Sequence, residues 1–273
     1  MLGTALIVFR EVLEAALIIG IVAAATRGIP GRGVRLAWGV AIGLVGSCAV
    51  AFGAEAISSL ADGVGQEIFN ASVLFVAVAM LAWHNLWMAK HGRELAANAR
   101  DVGSAIRNGT KELSVLMVVV ALAVLREGSE TVLFLYGVSL SAGSGAGQLV
   151  AGGLLGVAGG VLVGGLLYAG LLRVPLKWFF SATAALVLLL AAGMAAQAAR
   201  FLIQADILPG LAAPLWDTSA LVPNDSAVGS VLRGLVGYEA QPAGMQVVFF
   251  TLALLAIAAG MAWAKHRSSS PNS

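Results

Sequence analysis

The sequence predicts an all-α integral membrane protein of seven transmembrane helices, an inverted 3+3 repeat followed by one C-terminal helix. Three observations carry this reading. Hydrophobic residues make up 59% of the 273-residue chain and charged residues 11%, where a soluble domain carries about 25% charged residues. Apolar runs of about 20 residues, long enough to cross a bilayer, recur along the chain. A charged motif inside the first run, "REVLE" at Arg10–Glu14, returns inside the fourth as "REGSE" at Arg126–Glu130.

Taken in order, the first span covers about residues 4–26. Its apolar residues precede its charges, the reverse of a cleavable signal peptide, so it is expected to stay in the working protein. The second span (34–56) carries small residues every fourth position, Gly39, Gly43 and Ser47. The third covers 67–89, and the charged stretch 91–111 after it reads as an amphipathic cytoplasmic connector. The fourth (113–140) holds the second motif, and the fifth (148–172) repeats the small-residue ridge as Gly152, Gly156, Gly160 and Gly164. Such ridges let helices pack backbone to backbone in lipid. "SAGSGAG" between these two spans is a turn, since no Gly-Lys-Ser/Thr follows to make a phosphate loop. The sixth span (176–204) leads to a long loop (205–243), a seventh span (244–265) and a short tail (266–273).

Loop charges set the orientation. Basic loops (Arg27, Arg32 and Arg35; Lys90, Arg93, Arg100, Arg107 and Lys111; Arg173 and Lys177; Lys265 and Arg267) alternate with loops poor in basic residues. Of the latter, one is edged by Asp62 and Glu67, one is uncharged, and one holds Asp206, Asp217, Asp225 and Glu239 against Arg233. The N-terminus is expected outside and the C-terminus in the cytoplasm. Two units of three spans, 1–90 and 112–204, must then enter from opposite sides, the plan of many secondary transporters.

Within each motif the Arg and the second Glu are four residues apart and the two Glu are three apart. On a helix all three fit a sector of about 100°. Each charge at mid-membrane costs about 2.5–3.5 kcal/mol and each large apolar residue returns about 0.3–0.6. The charges therefore face the bundle interior. Locking the two units together would need one Glu per Arg, whereas each motif has two. The surplus carboxylate calls for a cation, and four carboxylates with no thiolate and no Met in either motif describe an all-oxygen, hard-ligand site. The arginines would hold the carboxylates and limit the field of the empty site. Net charge is +2, too small to indicate nucleic acid. The single Cys48 excludes an internal disulfide and a Cys-ligated cluster. His84, His91 and His266 are too scattered for a convincing haem or zinc site.

Two Arg-Glu-x-x-Glu motifs, in the first and fourth of seven spans, resemble the oxidase-dependent iron permease family, which includes the fungal high-affinity iron permease and bacterial Efe-type permeases. The late segment "WDTSALVPNDSAVGSVLRGLVGYEAQPAG" resembles it too, with Asp217, Ser219, Gly229, Gly234, Gly237, Tyr238 and Pro242 in the family's pattern. The resemblance implies iron uptake across the plasma (bacterial inner) membrane. Iron is then substrate rather than resident cofactor, and Fe(III) comes from an external ferroxidase or iron-delivery protein. It implies Glu11, Glu14, Glu127 and Glu130 as metal-handling residues, supported by Arg10 and Arg126. The chain departs from the family at Asn70, where an acidic residue is common, and at His84–Asn85, where apolar residues are expected.

Asn70, His84, Asp217 and Asp225 are secondary candidates. A lone His in a span is more often a hydrogen-bonding residue than a ligand, and Asp217, Asp225 and Glu239 either collect cations or simply hydrate a loop. Arg200 is expected to snorkel or to pair with Asp206. Fe(II), Mn(II) or Pb(II) transport on the same scaffold, and a non-transporting membrane anchor for a redox partner, stand as alternatives.

Overall fold

A computed structural model of the chain describes residues 1–60, 65–142, 145–170, 176–212 and 214–267. Asp62 and Arg173, used above for the loop charges, lie outside the described residues, as do the side chains of Glu55, Lys90, Arg93, Lys177, Trp178, Lys265 and Arg267. The described chain is helical: α1 Leu2–Ala25, α2 Arg32–Leu60, α3 Gln66–Arg107, α4 Ser114–Ala142, α5 Ala146–Tyr168, α6 Leu176–Gln204, α7 Ala227–Val236 and α8 Gly244–Arg267. Five helical segments are long and apolar enough to cross a membrane: Arg32–Gly53, Gln66–Met88, Ala146–Tyr168, Ser181–Gln204 and Gly244–Trp263. The long helices α1 and α4 are the two that carry a charged motif at mid-length.

Two elements differ from the sequence reading. Helix α3 does not break near residue 90 but continues through the charged stretch to Arg107, 42 residues in all, or about 63 Å. Hydropathy marks where lipid ends, not where a helix ends. The continuation packs at the arginine-rich end of the bundle, where Arg107 Nε donates to the Ala25 carbonyl at 2.9 Å. Helix α7 lies within the long loop. Ser226 caps its start, its hydroxyl accepting from the Gly229 N–H at 2.9 Å, and Gly237 ends it at φ 69°, a backbone conformation that favours glycine.

Packing pairs the first three helices crosswise with the next three. Helix α5 lies along α1, α2 along α4, and α3 along α6, with α8 against α6 and α3. The small-residue ridges form the first two seams. A Cβ on Gly156 would stand 2.7 Å from the Ala5 carbonyl oxygen, and one on Gly43 2.8 Å from that of Ala121. Ser47 completes the second ridge, its hydroxyl donating to the Gly43 carbonyl at 3.0 Å, against Gly128 of the motif helix. Each ridge thus presses on the back of a motif helix and leaves the charged face turned into the bundle. Outward faces stay apolar, with Trp38, Ile42, Val45 and Phe52 exposed on α2 and Val150, Leu154, Val157 and Val161 on α5. Stripes of this extent suit contact with lipid tails.

Two apolar clusters bracket the middle of the bundle. One includes Ile7, Leu74, Leu81, Phe134, Val187 and Met194, toward the end that carries residues 205–243. The other, Val22, Ala99, Ile106 and Leu116, lies at the opposite end. The motif residues of α1 and α4 fall between them.

Candidate functional site

Each motif folds as its spacing predicts. Arg10 Nε lies 3.0 Å from Glu14 Oε1 and Arg10 Nη1 3.9 Å from Glu11 Oε1. On α4, Arg126 Nε lies 3.2 Å from Glu130 Oε1 and 3.8 Å from Glu127 Oε1. In all four glutamates the arginine faces Oε1, and Oε2 of Glu14 and of Glu130 is turned toward a ring nitrogen of His84. Carboxylate oxygens turned away from their arginines can accept from a donor or a cation, while the arginines fix their geometry.

The two motifs meet. One ligand atom from each of Glu11, Glu127, Glu130 and His84 lies within 4.8 Å of the other three. His84 of α3 sits between the motifs, its Nε2 3.4 Å from Glu14 Oε2 and 3.9 Å from Glu11 Oε2, and its Nδ1 against Glu130 Oε2. Its ring meets Phe134 edge-on, with centroids 6.3 Å apart. An imidazole therefore stands among the carboxylates that the sequence reading takes as an all-oxygen set. Helical periodicity places residues on one face of their own helix, but it says nothing about which face of α3 turns toward α1 and α4.

Burial differs between the motifs. The side chains of Glu11, Glu14 and Glu127 are 4% exposed or less, against 18% for Glu130 and 34% for Arg126. The difference comes from a cavity of about 600 Å³ between α3 and α4, walled by Met80, Trp83, His84, Trp87, Arg126 and Glu130 among others. There the Arg126 guanidinium lies over the Trp87 ring, 4.2 Å from its centroid. A cation–π contact of this kind contributes about 0.5–2 kcal/mol. Trp87 did not stand out in the sequence; Asn85 did, beside His84, and it is buried there with both side-chain polar atoms unpaired. A polar residue within an apolar run was the available signal.

The remaining candidates are placed elsewhere. Asn70 accepts from Gln66 Nε2 at 3.2 Å in the first turns of α3, 14 residues and so about 21 Å along the helix from His84. Asp217 is tied within its loop: Oδ1 accepts from the Ser219 hydroxyl at 2.6 Å and backbone N–H at 2.9 Å, and Oδ2 from Gln241 at 2.8 Å. These donors, the Ser219 hydroxyl foremost, hold its carboxyl below the usual carboxylate range. Asp225 is exposed. Neither aspartate joins a metal-ligating group among the described residues. Glu239 bridges Arg233 at 3.0 Å and Arg200 at 3.5 Å and accepts from Asn224. Arg200 therefore pairs with Glu239 rather than with Asp206, and the network ties the long loop to the end of α6.

A sequence model described as the Iron permease FTR1 family matches residues 1–270. The chain belongs to the iron permease FTR1 family. Relatives include the ferrous iron permease EfeU of Escherichia coli O157:H7, 33% identical over 256 residues, covering 92% of this chain and 91% of the relative. EfeU of Yersinia pestis is 30% identical over 253 residues, covering 92% and 89%. EfeU of Shigella flexneri is 34% identical over 191 residues, covering 70% and 80%. No solved structure matches the chain. Family membership and five apolar helices of spanning length make this permease-family chain an integral membrane protein.

Proposed function

We propose that this chain is an inner-membrane iron permease whose ion passes mid-membrane through a site formed by both Arg-Glu-x-x-Glu motifs. The single observation that carries the reading is the convergence of Glu11 of the first motif with Glu127 and Glu130 of the second, one ligand atom of each and of His84 lying within 4.8 Å of the others. With all four carboxylates ionised and His84 neutral, the two arginines leave two negative charges, which one divalent ion would balance. Seven helices then span the membrane, as two inverted three-helix units and α8. The crosswise pairing of α1 with α5 and α2 with α4 supports that symmetry. Arg27, Arg32 and Arg107 gather at one end of the bundle, and Asp217, Asp225 and Glu239 lie in the loop between α6 and α8. This distribution supports a cytoplasmic arginine-rich end with the N-terminus outside. Apolar clusters on both sides of the site support an occluded resting state that opens by relative movement of the two units.

Iron could reach such a site as Fe(III) handed over by an external ferroxidase, as the family resemblance implies, or directly as Fe(II), the ion in the printed name of the relatives. The test is metal flux into liposomes holding the purified protein, comparing Fe(III), Fe(II), Mn(II) and Pb(II). Uptake of iron in either oxidation state supports the reading. Flux of Mn(II) or Pb(II) without iron would move the protein to another metal, and no flux of any ion would favour a membrane anchor for a redox partner.

A further inference from the structure

We propose that His84 is a direct ligand of the transported ion and the residue that turns a hard carboxylate cage into a site selective for borderline divalent metals, Fe(II) foremost. The inference rests on the permease reading above and narrows its substrate.

Geometry comes first. Ligands about 2.0–2.2 Å from a transition-metal ion stand roughly 3–4.4 Å from one another. The four donor atoms from Glu11, His84, Glu127 and Glu130, all within 4.8 Å of one another, need only a slight contraction to meet that condition. His84 is 3% exposed, and the polar groups beside its ring nitrogens are carboxylates. Both ring nitrogens face carboxylate oxygens, Nδ1 that of Glu130 and Nε2 that of Glu14 at 3.4 Å. A metal-bound imidazole donates its second N–H to a carboxylate or carbonyl. Here either nitrogen can take the ion, because Glu14 stands beside Nε2 and Glu130 beside Nδ1.

Access agrees. His84 and Glu130 line the cavity between α3 and α4, whereas Glu11, Glu14 and Glu127 do not. Of the four grouped residues, His84 and Glu130 are thus the two that border the cavity. Imidazole binds iron, nickel, copper and zinc well and adds little for Mg(II) or Ca(II), whose ligands are oxygens. A carboxylate at the same place would remove that discrimination.

The test uses the purified full-length protein, wild type and the variants His84→Gln and His84→Asp, loaded with Fe(II) under reducing conditions. X-ray absorption of the wild-type sample is expected to show imidazole scattering around iron, absent from both variants. In liposomes the Fe(II):Mn(II) uptake ratio of His84→Asp is expected to fall by at least about tenfold, the scale on which changes to a metal site act. Iron bound by the wild type without imidazole scattering overturns the proposal, even if neither variant folds. An unchanged uptake ratio in a folded His84→Asp protein overturns it as well. Wild-type protein that neither binds nor moves iron would instead overturn the permease reading beneath it.

Discussion

Replacing Glu127 by Gln keeps the shape of the side chain and removes one negative charge from a fully enclosed position, 3% exposed. In the wild type one divalent ion matches the surplus of two carboxylates over two arginines. In Glu127→Gln the loaded site holds one uncompensated positive charge, bracketed by the apolar clusters around Phe134 and Leu116. Breaking a buried charge pair costs roughly 3–5 kcal/mol. At about 1.4 kcal/mol per decade, iron affinity should fall by roughly 10²- to 4 × 10³-fold. The assay is initial-rate uptake in proteoliposomes at iron well below saturation, with protein insertion checked by size exclusion and quantitative immunoblotting. Uptake within threefold of wild type, in a normally inserted protein, would refute the claim that Glu127 shares in neutralising the ion. Arg126 and Glu130 would then carry the second motif without it.

Other outcomes follow from the same geometry. Gly156→Ala should lower thermal stability by about 1–3 kcal/mol, the usual cost of overpacking, because its Cβ would meet the Ala5 carbonyl oxygen at 2.7 Å. Gly153→Ala, with nothing within 4 Å, should be tolerated, so a thermal-aggregation assay in detergent compares the two directly. Trp87→Leu removes the ring beneath Arg126. It should slow iron uptake several-fold, in keeping with a contact of about 0.5–2 kcal/mol, and leave the amount of inserted protein unchanged. Asp217 titrates below its unfolded value, so its stabilisation of the loop is present above the ordinary carboxylate range and is lost as pH falls through the folded value. Protease cleavage within 205–243 should therefore rise only in strongly acidic buffer, and Asp217→Asn should blunt that rise.

Much of this architecture was legible in the sequence because the bilayer enforces simple rules. Apolar runs located the seven long helices, and the ridges at Gly39–Gly43–Ser47 and Gly152–Gly164 identified the faces on which the motif helices rest. The motifs themselves were legible because three charges in an apolar helix have few places to go. Local periodicity does not carry pairing between helices. The turn of His84 toward Glu14 and Glu130 depends on how α3 seats against α1 and α4, and the partnership of Arg200 with Glu239 depends on how a long loop folds back. Helix α7 had readable ends in Ser226 and Gly237, but its 10 residues are too short for hydropathy to reveal. The continuation of α3 to Arg107 escaped notice because polarity changes at the membrane surface while helix propensity does not.

On the proposed reading, two motifs from opposite halves of the chain build one ion site. Equilibrium binding of radioactive iron to the purified protein, wild type and the single variants Glu11→Gln and Glu127→Gln, tests it most directly. One high-affinity ion per chain, lost in either variant, is the predicted result. Two ions per chain, with each substitution removing only one, would contradict it.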